Sequence, residues 1–257
     1  MTNLIFATAG LGPANIKSAS LRVIKQLDEL PYVSKKVLLT EENLSEFCPT
    51  ISTKYAKYLN SETRGFGFMS WKAELAYRIL SRSTSDTLYF WIDAGCEVSL
   101  TPISKLKMHI WKKRLIKDGY LYFVLDTPER EYTKANLFSY FPKLTPDDLG
   151  PQAQTTFFGL YGEVGLAIAT RWFQVVAQDI DTVSEENSIS INGDIASHRH
   201  DQSVFSLVLK EMGLSPNLKP LRSDLKSNNL SRYWKYLVEP VLANRNRSGE
   251  TQNPFRG

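Results

Sequence analysis

The chain has 257 residues, 42% of them hydrophobic and 12% aromatic, which suits one large domain or two small ones with a substantial core. Two cysteines, Cys48 and Cys96, are too few for a disulfide framework; no leader-like segment opens the chain, and no run of about 18 uncharged apolar residues can span a bilayer, so a globular cytoplasmic protein is expected. The formal net charge of +4 belongs to the C-terminal segment, where eight Lys/Arg stand against three Asp/Glu from Ser215 onward; the remainder, at −1, is close to neutral, which argues against a nucleic-acid-binding body.

"NLIFATAG" (residues 3–10) is a short apolar run closing in small residues, with Thr8 near its carboxyl end. "IKSASLRVIKQLDEL" (16–30) has helical spacing and precedes Pro31, and "KKVLLT" (36–41) reads as a strand. "SWKAELAYRILSRS" (70–83) suits a helix, and the aromatic-rich "TLYFWID" (87–93) suits a strand. Near-continuous apolar strands alternating with helices predict an α/β fold with a largely parallel central sheet covered on both faces. Ligands in such sheets sit outside the carboxyl ends of the strands, where Asp93 falls.

The middle is less regular. "HIWKKRLIKD" (109–118) has helical character, "GYLYFVLD" (119–126) reads as a strand, and "EYTKANLFSYFP" (131–142) as a short helix. "TTFFGLYGEVGLAIAT" (155–170) suggests a strand, a Gly-punctuated turn and then a second strand or helix start, before a helix over 170–183. "SHRHDQSVFSLVLKEMG" (197–213) spaces Val204, Phe205, Leu207, Val208 and Met212 helically; Asp201 or Ser203 can cap the start and Gly213 the end. A single domain over 1–213, followed by a basic, aromatic helical segment and tail over 214–257, is the simplest division. "SRYWKYLVEPVLANRNR" either packs its aromatics on the domain or rests on anionic headgroups at the inner membrane face.

Three segments carry candidate chemistry. Asp93 is a lone carboxylate at a strand end. His198, Arg199, His200 and Asp201 gather at a helix N-terminus, where an anion is favoured and Arg199 can add a forked donor; the plainer reading is an N-cap with solvated histidines. "RGFGFMSWK" (64–72) offers tight backbone geometry at Gly65 and Gly67, bracketed by Arg64 and Lys72.

In their order, "RGFGFMSWK", "YFWIDAGCE", "EYTKANLF" and "HRHDQSVFSLVLK" resemble the motifs of a group of bacterial and viral glycosyltransferases. The resemblance spans most of residues 1–213. It implies a GT-A-like nucleotide-binding sandwich that transfers a sugar from a nucleotide-diphosphate sugar to a hydroxyl of a glycan or lipid-linked acceptor. Asp93, Gly95, Arg64, Lys72, Arg199 and Thr8 then belong to the donor site, and Lys134 and His200 contact donor or acceptor. Mn²⁺ or Mg²⁺ is expected on Asp93 together with His198, with water or with Glu97, the alternative being that Asp93 binds the ribose or sugar hydroxyls instead. Asp201 and Glu163 are the available carboxylates for a catalytic base. Two departures stand out: Gly95 replaces the second aspartate of the usual Asp-x-Asp, and Ala73 follows the tryptophan-lysine pair where proline is usual.

Two other readings are distinguishable. Cys96 beside Gly95, with a histidine and an aspartate elsewhere, suits a cysteine-dependent hydrolase, although a small buried cysteine is the commoner outcome. A non-catalytic nucleotide- or carbohydrate-binding protein is the other.

Overall fold

A computed structural model describes residues 3–145, 149–186, 198–218 and 229–252, the side chains of 229–232 excepted. The chain opens with β1 (Leu4–Ala9), α1 (Ala14–Asp28) and β2 (Lys35–Leu39), then forms short helices α2 (Leu44–Phe47) and α3 (Pro49–Lys54). A tight turn, α4 (Gly65–Phe68), leads into α5 (Trp71–Ser81), β3 (Leu88–Ile92), β4 (Glu97–Val98) and α6 (Pro102–Asp118). Next come β5 (Tyr120–Leu121), β6 (Val124–Pro128), α7 (Glu129–Tyr132), β7 (Pro151–Ala153), β8 (Phe157–Tyr161) and α8 (Gly162–Gln178). The described chain ends with α9 (His200–Glu211), α10 (Asn229–Val238) and β9 (Val241–Leu242).

The main sheet has the order β2-β1-β3-β8-β5. β1 pairs in parallel with β2 and β3, whereas β8 runs antiparallel to β3 and β5, so four of the five strands point one way. β1 and β3 are buried along their whole length, as apolar strands covered on both faces must be. Alternation divides the core. Leu4, Phe6, Leu88, Phe90 and Ile92 meet Val23 and Leu27 of α1 and Met108, Trp111 and Leu115 of α6. Ile5, Ala7, Tyr89 and Trp91 meet α5, α8 and α9 on the other face. The result is a mixed α/β fold with a mainly parallel sheet flanked by helices.

Three elements differ from the sequence reading. α6 starts well before His109, because Thr101 caps it: its Oγ1 accepts from Ser104 N at 3.1 Å, and Pro102 opens the first turn. "GYLYFVLD" divides between β5 and β6. The Gly-punctuated stretch after β8 is one continuous helix, α8. Gly165 serves close packing there, since a Cβ would lie 2.9 Å from the Leu160 backbone carbon.

The C-terminal segment is stitched to the domain. α10 packs against α6 and buries Tyr236, while Tyr233 and Trp234 stay exposed. β9 then pairs antiparallel with β4, just beyond Asp93. Lys219, Arg222, Lys226 and Arg256 lie outside the described residues.

Candidate active site

Asp93 follows the last residue of β3, the middle strand of the sheet, and its N–H donates to Thr156 O at 2.9 Å. Beside it opens a cavity of about 830 Å³. The β1–α1 connection (Leu11, Gly12, Pro13, Ile16), the α4 turn (Arg64, Gly65, Phe66, Met69), Trp71, Lys72, Trp91, Gly95 and Arg199 line it together with Arg245 and Arg247. Asp93 is the one carboxylate among the described lining residues, against four arginines and Lys72.

Trp91 Nε1 donates to Asp93 Oδ1 at 2.6 Å and Lys72 Nζ to the same oxygen at 3.1 Å. Lys72 Nζ also lies 3.1 Å from Asp201 Oδ2, so one buried ammonium links the strand end to the first turn of α9. Burial alone pulls the Lys72 ammonium down, but Asp201 and Asp93 together more than offset it and hold its pKa above the ordinary value. Burial pushes the Asp201 carboxyl up against the pull of Lys72. Asp201 is therefore neither a cap nor a cavity group. The N-cap of α9 is Arg199, without a side-chain cap bond, while Asp201 faces inward as the counter-ion of Lys72.

The segment before Lys72 is strained. Gly65, Phe66, Gly67, Phe68 and Met69 all have φ between 53° and 91°, and Phe68 N and Met69 N donate back to Arg64 O and Gly65 O. Left-handed backbone costs about 1–2 kcal/mol at each of the three non-glycine positions, so the surroundings must over-determine it. Trp71 Nε1 does so by donating to Gly65 O and Phe66 O, and Phe68 stacks on His200 with centroids 5.5 Å apart. This geometry sets Arg64, Gly65, Phe66 and Met69 along one side of the cavity.

The C-terminal strap, residues 243–252, adds Ala243, Arg245 and Arg247 to the lining. Asn246 N donates to Gly95 O at 2.9 Å. Buried Arg22 of α1 donates to Ala94 O, Cys96 O, Asn246 O and Ser248 O, tying the strand-end loop to the strap. Buried Glu97 accepts from Asn246 Nδ2, Gln252 N, Thr251 Oγ1 and Tyr236 Oη, which commits its oxygens to the strap and α10 rather than to a metal. The strap also explains Gly95: a Cβ there would lie 3.3 Å from Arg245 Cα. A Gly95→Asp variant is expected to displace the strap and cost about 1–3 kcal/mol. Its melting temperature and the susceptibility of its C-terminus to protease check this; wild-type values for both would contradict it.

Three sequence-selected residues lie together in another cluster. His198 Nε2 bonds Thr182 O at 3.1 Å, His200 Nδ1 bonds Val183 O at 2.8 Å, and Lys134 Nζ donates to Asp181 Oδ1, Ser184 O and Glu186 O. All three pin residues 181–186, and none lines the cavity. Burial, then Lys134 and His200, pull the His198 pKa down to about 3. The unfolded imidazole titrates near 6.5, so between those values the unfolded chain binds a proton that the native state refuses. Stability should fall as pH drops through that window, by about 1.4 kcal/mol per pH unit at its steepest. His198→Gln should flatten the dependence of urea midpoint on pH; parallel profiles would contradict the assignment.

The remaining candidates fall elsewhere. Glu163 opens α8 after β8, and because β8 is antiparallel it stands, exposed, at the opposite end of the sheet from Asp93. Thr8 is fully buried and alternates with Ala7 and Ala9 onto the other face of β1. The Cys96 thiol is also fully buried, and burial, reinforced by Asp93, pushes its pKa well up; it is an inert core group, not a nucleophile.

The donor set does not fit the divalent cation implied by the GT-A resemblance. Mn²⁺ or Mg²⁺ needs about six ligands, largely oxygen. Asp93 shares one oxygen with an indole and an ammonium, Gly95 offers no side chain, Glu97 is committed, and His198 is turned to Thr182. Among the described residues no group of three His, Cys, Asp or Glu could hold a metal.

No protein-family model matches this chain, and no curated protein matches it. Among solved structures it is similar to apo mouse xyloside xylosyltransferase 1, at 10% identity and a TM-score of 0.43, covering 94% of this chain and 96% of that one. It is also similar to a glycosyltransferase involved in glycosylation of the major capsid of PBCV-1, at 13% identity, a TM-score of 0.35 and coverage of 67% and 66%. A third is mannose-1-phosphate geranyltransferase from Thermus thermophilus, at 12% identity, a TM-score of 0.38 and coverage of 85% and 69%. At these scores the chemistry has to be read from the cavity itself.

Proposed function

We propose that the cavity is the donor site of a glycosyltransferase that moves a sugar from a nucleotide-diphosphate sugar to an acceptor hydroxyl on a glycan or lipid-linked carrier. One observation carries this reading: a single oriented carboxylate, Asp93, at the carboxyl end of the central strand, within a cavity otherwise lined by cations, apolar groups and neutral polar side chains. Its volume lies within the range of about 300–1,000 Å³ common for small-molecule and cofactor sites. A departing nucleoside diphosphate develops negative charge, which arginine forks in a partly desolvated site stabilise. Leu11, Pro13 and Ile16 give an apolar wall for a base. Asp93, held through Oδ1 by Trp91 and Lys72, has Oδ2 to accept from a hydroxyl of the sugar or acceptor. Lys72 and Asp201 position that carboxylate from below.

The motif resemblance supports a role in building a surface polysaccharide or other glycan. Among the described residues no helix is long and apolar enough to cross a membrane. If the acceptor is lipid-linked, the exposed Tyr233 and Trp234 of α10 provide an interfacial contact.

A thermal-shift panel of nucleoside diphosphates tests the reading. At a hundredfold excess over Kd, a true ligand stabilises the native state by about 2.7 kcal/mol, a shift of roughly 5–10 °C for a chain of this size. One base should stand out; no shift with any of them would overturn the proposal.

A further inference from the structure

We propose that Arg245 and Arg247 of the C-terminal strap are the diphosphate-binding cations of this site and take the place of a divalent metal, so that donor binding is metal-independent. The inference rests on the glycosyltransferase reading and deepens it.

Three observations converge on it. First, burial alternates along the strap: Asn246 is buried against Glu97, and its neighbours Arg245 and Arg247 are exposed and line the cavity. No hydrogen bond or ion pair engages either guanidinium among the described residues. By contrast, Arg64 pairs with Glu185 at 3.0 Å, Arg199 lies 4.1 Å over the Tyr132 ring, and Lys72 is committed to two carboxylates. The strap therefore supplies the unspent positive charge. Second, the strap is built to hold still. Arg22 donates to Asn246 O and Ser248 O, Asn246 N donates to Gly95 O, and Glu97 accepts from Asn246 Nδ2, Thr251 Oγ1 and Gln252 N, which together fix it to α1, β4 and the strand-end loop. Arg245 itself keeps a left-handed backbone, φ 52°, at an energetic cost that a merely solvated tail would relax. Third, the strap crowds the position where a second strand-end aspartate would stand: a Cβ on Gly95 would lie 3.3 Å from Arg245 Cα, so the strap would have to shift to admit one. The contact that delivers two arginines is the same one that disfavours a second carboxylate there.

A planar guanidinium offers two parallel donors to phosphate oxygens and cannot lose its charge, so two of them can neutralise a diphosphate without a cation from solution. Calorimetry tests this with inorganic pyrophosphate and with the nucleoside diphosphate that gives the largest thermal shift, first in EDTA and then with excess Mn²⁺. Both ligands should bind in EDTA, with affinity changed less than about twofold by Mn²⁺. Arg245→Ala and Arg247→Ala should each weaken pyrophosphate about tenfold or more with an unchanged melting temperature, and the lysine variants should recover part of the loss. Binding that requires Mn²⁺, or alanine variants that bind like wild type, would overturn the proposal, while nucleotide binding would still uphold the donor-site reading. Pyrophosphate bound in EDTA as tightly as every nucleoside diphosphate would support the arginine site and overturn the nucleotide reading. Failure of both ligands under both conditions would overturn both.

Discussion

A Lys72→Met variant is expected to lose about 3–5 kcal/mol of stability, because it removes one ammonium from between two carboxylates and leaves Asp201 fully buried without a counter-charge. The loss should depend on pH in a definite direction. Without Lys72, burial raises the Asp201 pKa further above its unfolded value, so the native state binds a proton that the unfolded chain releases. Stability present in acid is then lost as pH rises through the native pKa, and the destabilisation should be larger at pH 8 than at pH 5. Adding Asp201→Asn should restore much of the deficit, because the stranded charge is gone. Urea titrations of wild type, both single variants and the double variant give the coupling directly. Additive losses, or a deficit independent of pH, would show that the buried pair is not what holds α5 to α9.

An Asp93→Asn variant is expected to lower sugar transfer by a factor on the order of 10²–10³ with its melting temperature close to wild type. The two expectations separate because Asp93 is about one-third exposed whereas Asp201 is not: Lys72 keeps Asp201 as a partner when Asp93 becomes neutral. An amide retains the shape and still accepts from Trp91. It cannot take a proton or bind a hydroxyl as strongly as a carboxylate does. Near-wild-type turnover in this variant would remove Asp93 from the reaction.

The central sheet was legible because β1 and β3 are buried on both faces, which leaves an apolar run in each, and Asp93 was legible because it interrupts the second at its carboxyl end. Lys72 and Arg64 were legible through the glycine-aromatic segment beside them. What the glycines did not reveal is that Phe66, Phe68 and Met69 share their left-handed backbone, since ordinary propensity forbids that and only the packing of Trp71 and His200 sustains it. The histidines misled for a chemical reason. Imidazole in a polar cluster reads equally as a metal ligand or as an N–H donor, and here burial keeps both rings neutral and turns them to the carbonyls of Thr182 and Val183. Glu163 misled through topology, because an antiparallel β8 carries the start of α8 to the far end of the sheet. The strap was hidden because exposed arginines near a C-terminus look like a solvated tail. Its one local signal is the Asn-Arg-Asn-Arg alternation, in which a buried asparagine sits between two outward cations.

Sugar transfer at a donor site of this kind depends on Asp93. Purified protein incubated with a panel of nucleotide-diphosphate sugars should release free nucleoside diphosphate from one of them, and the Asp93→Asn variant should lose that release while still binding the same nucleotide. Release from no donor, or equal release by wild type and variant, would contradict it.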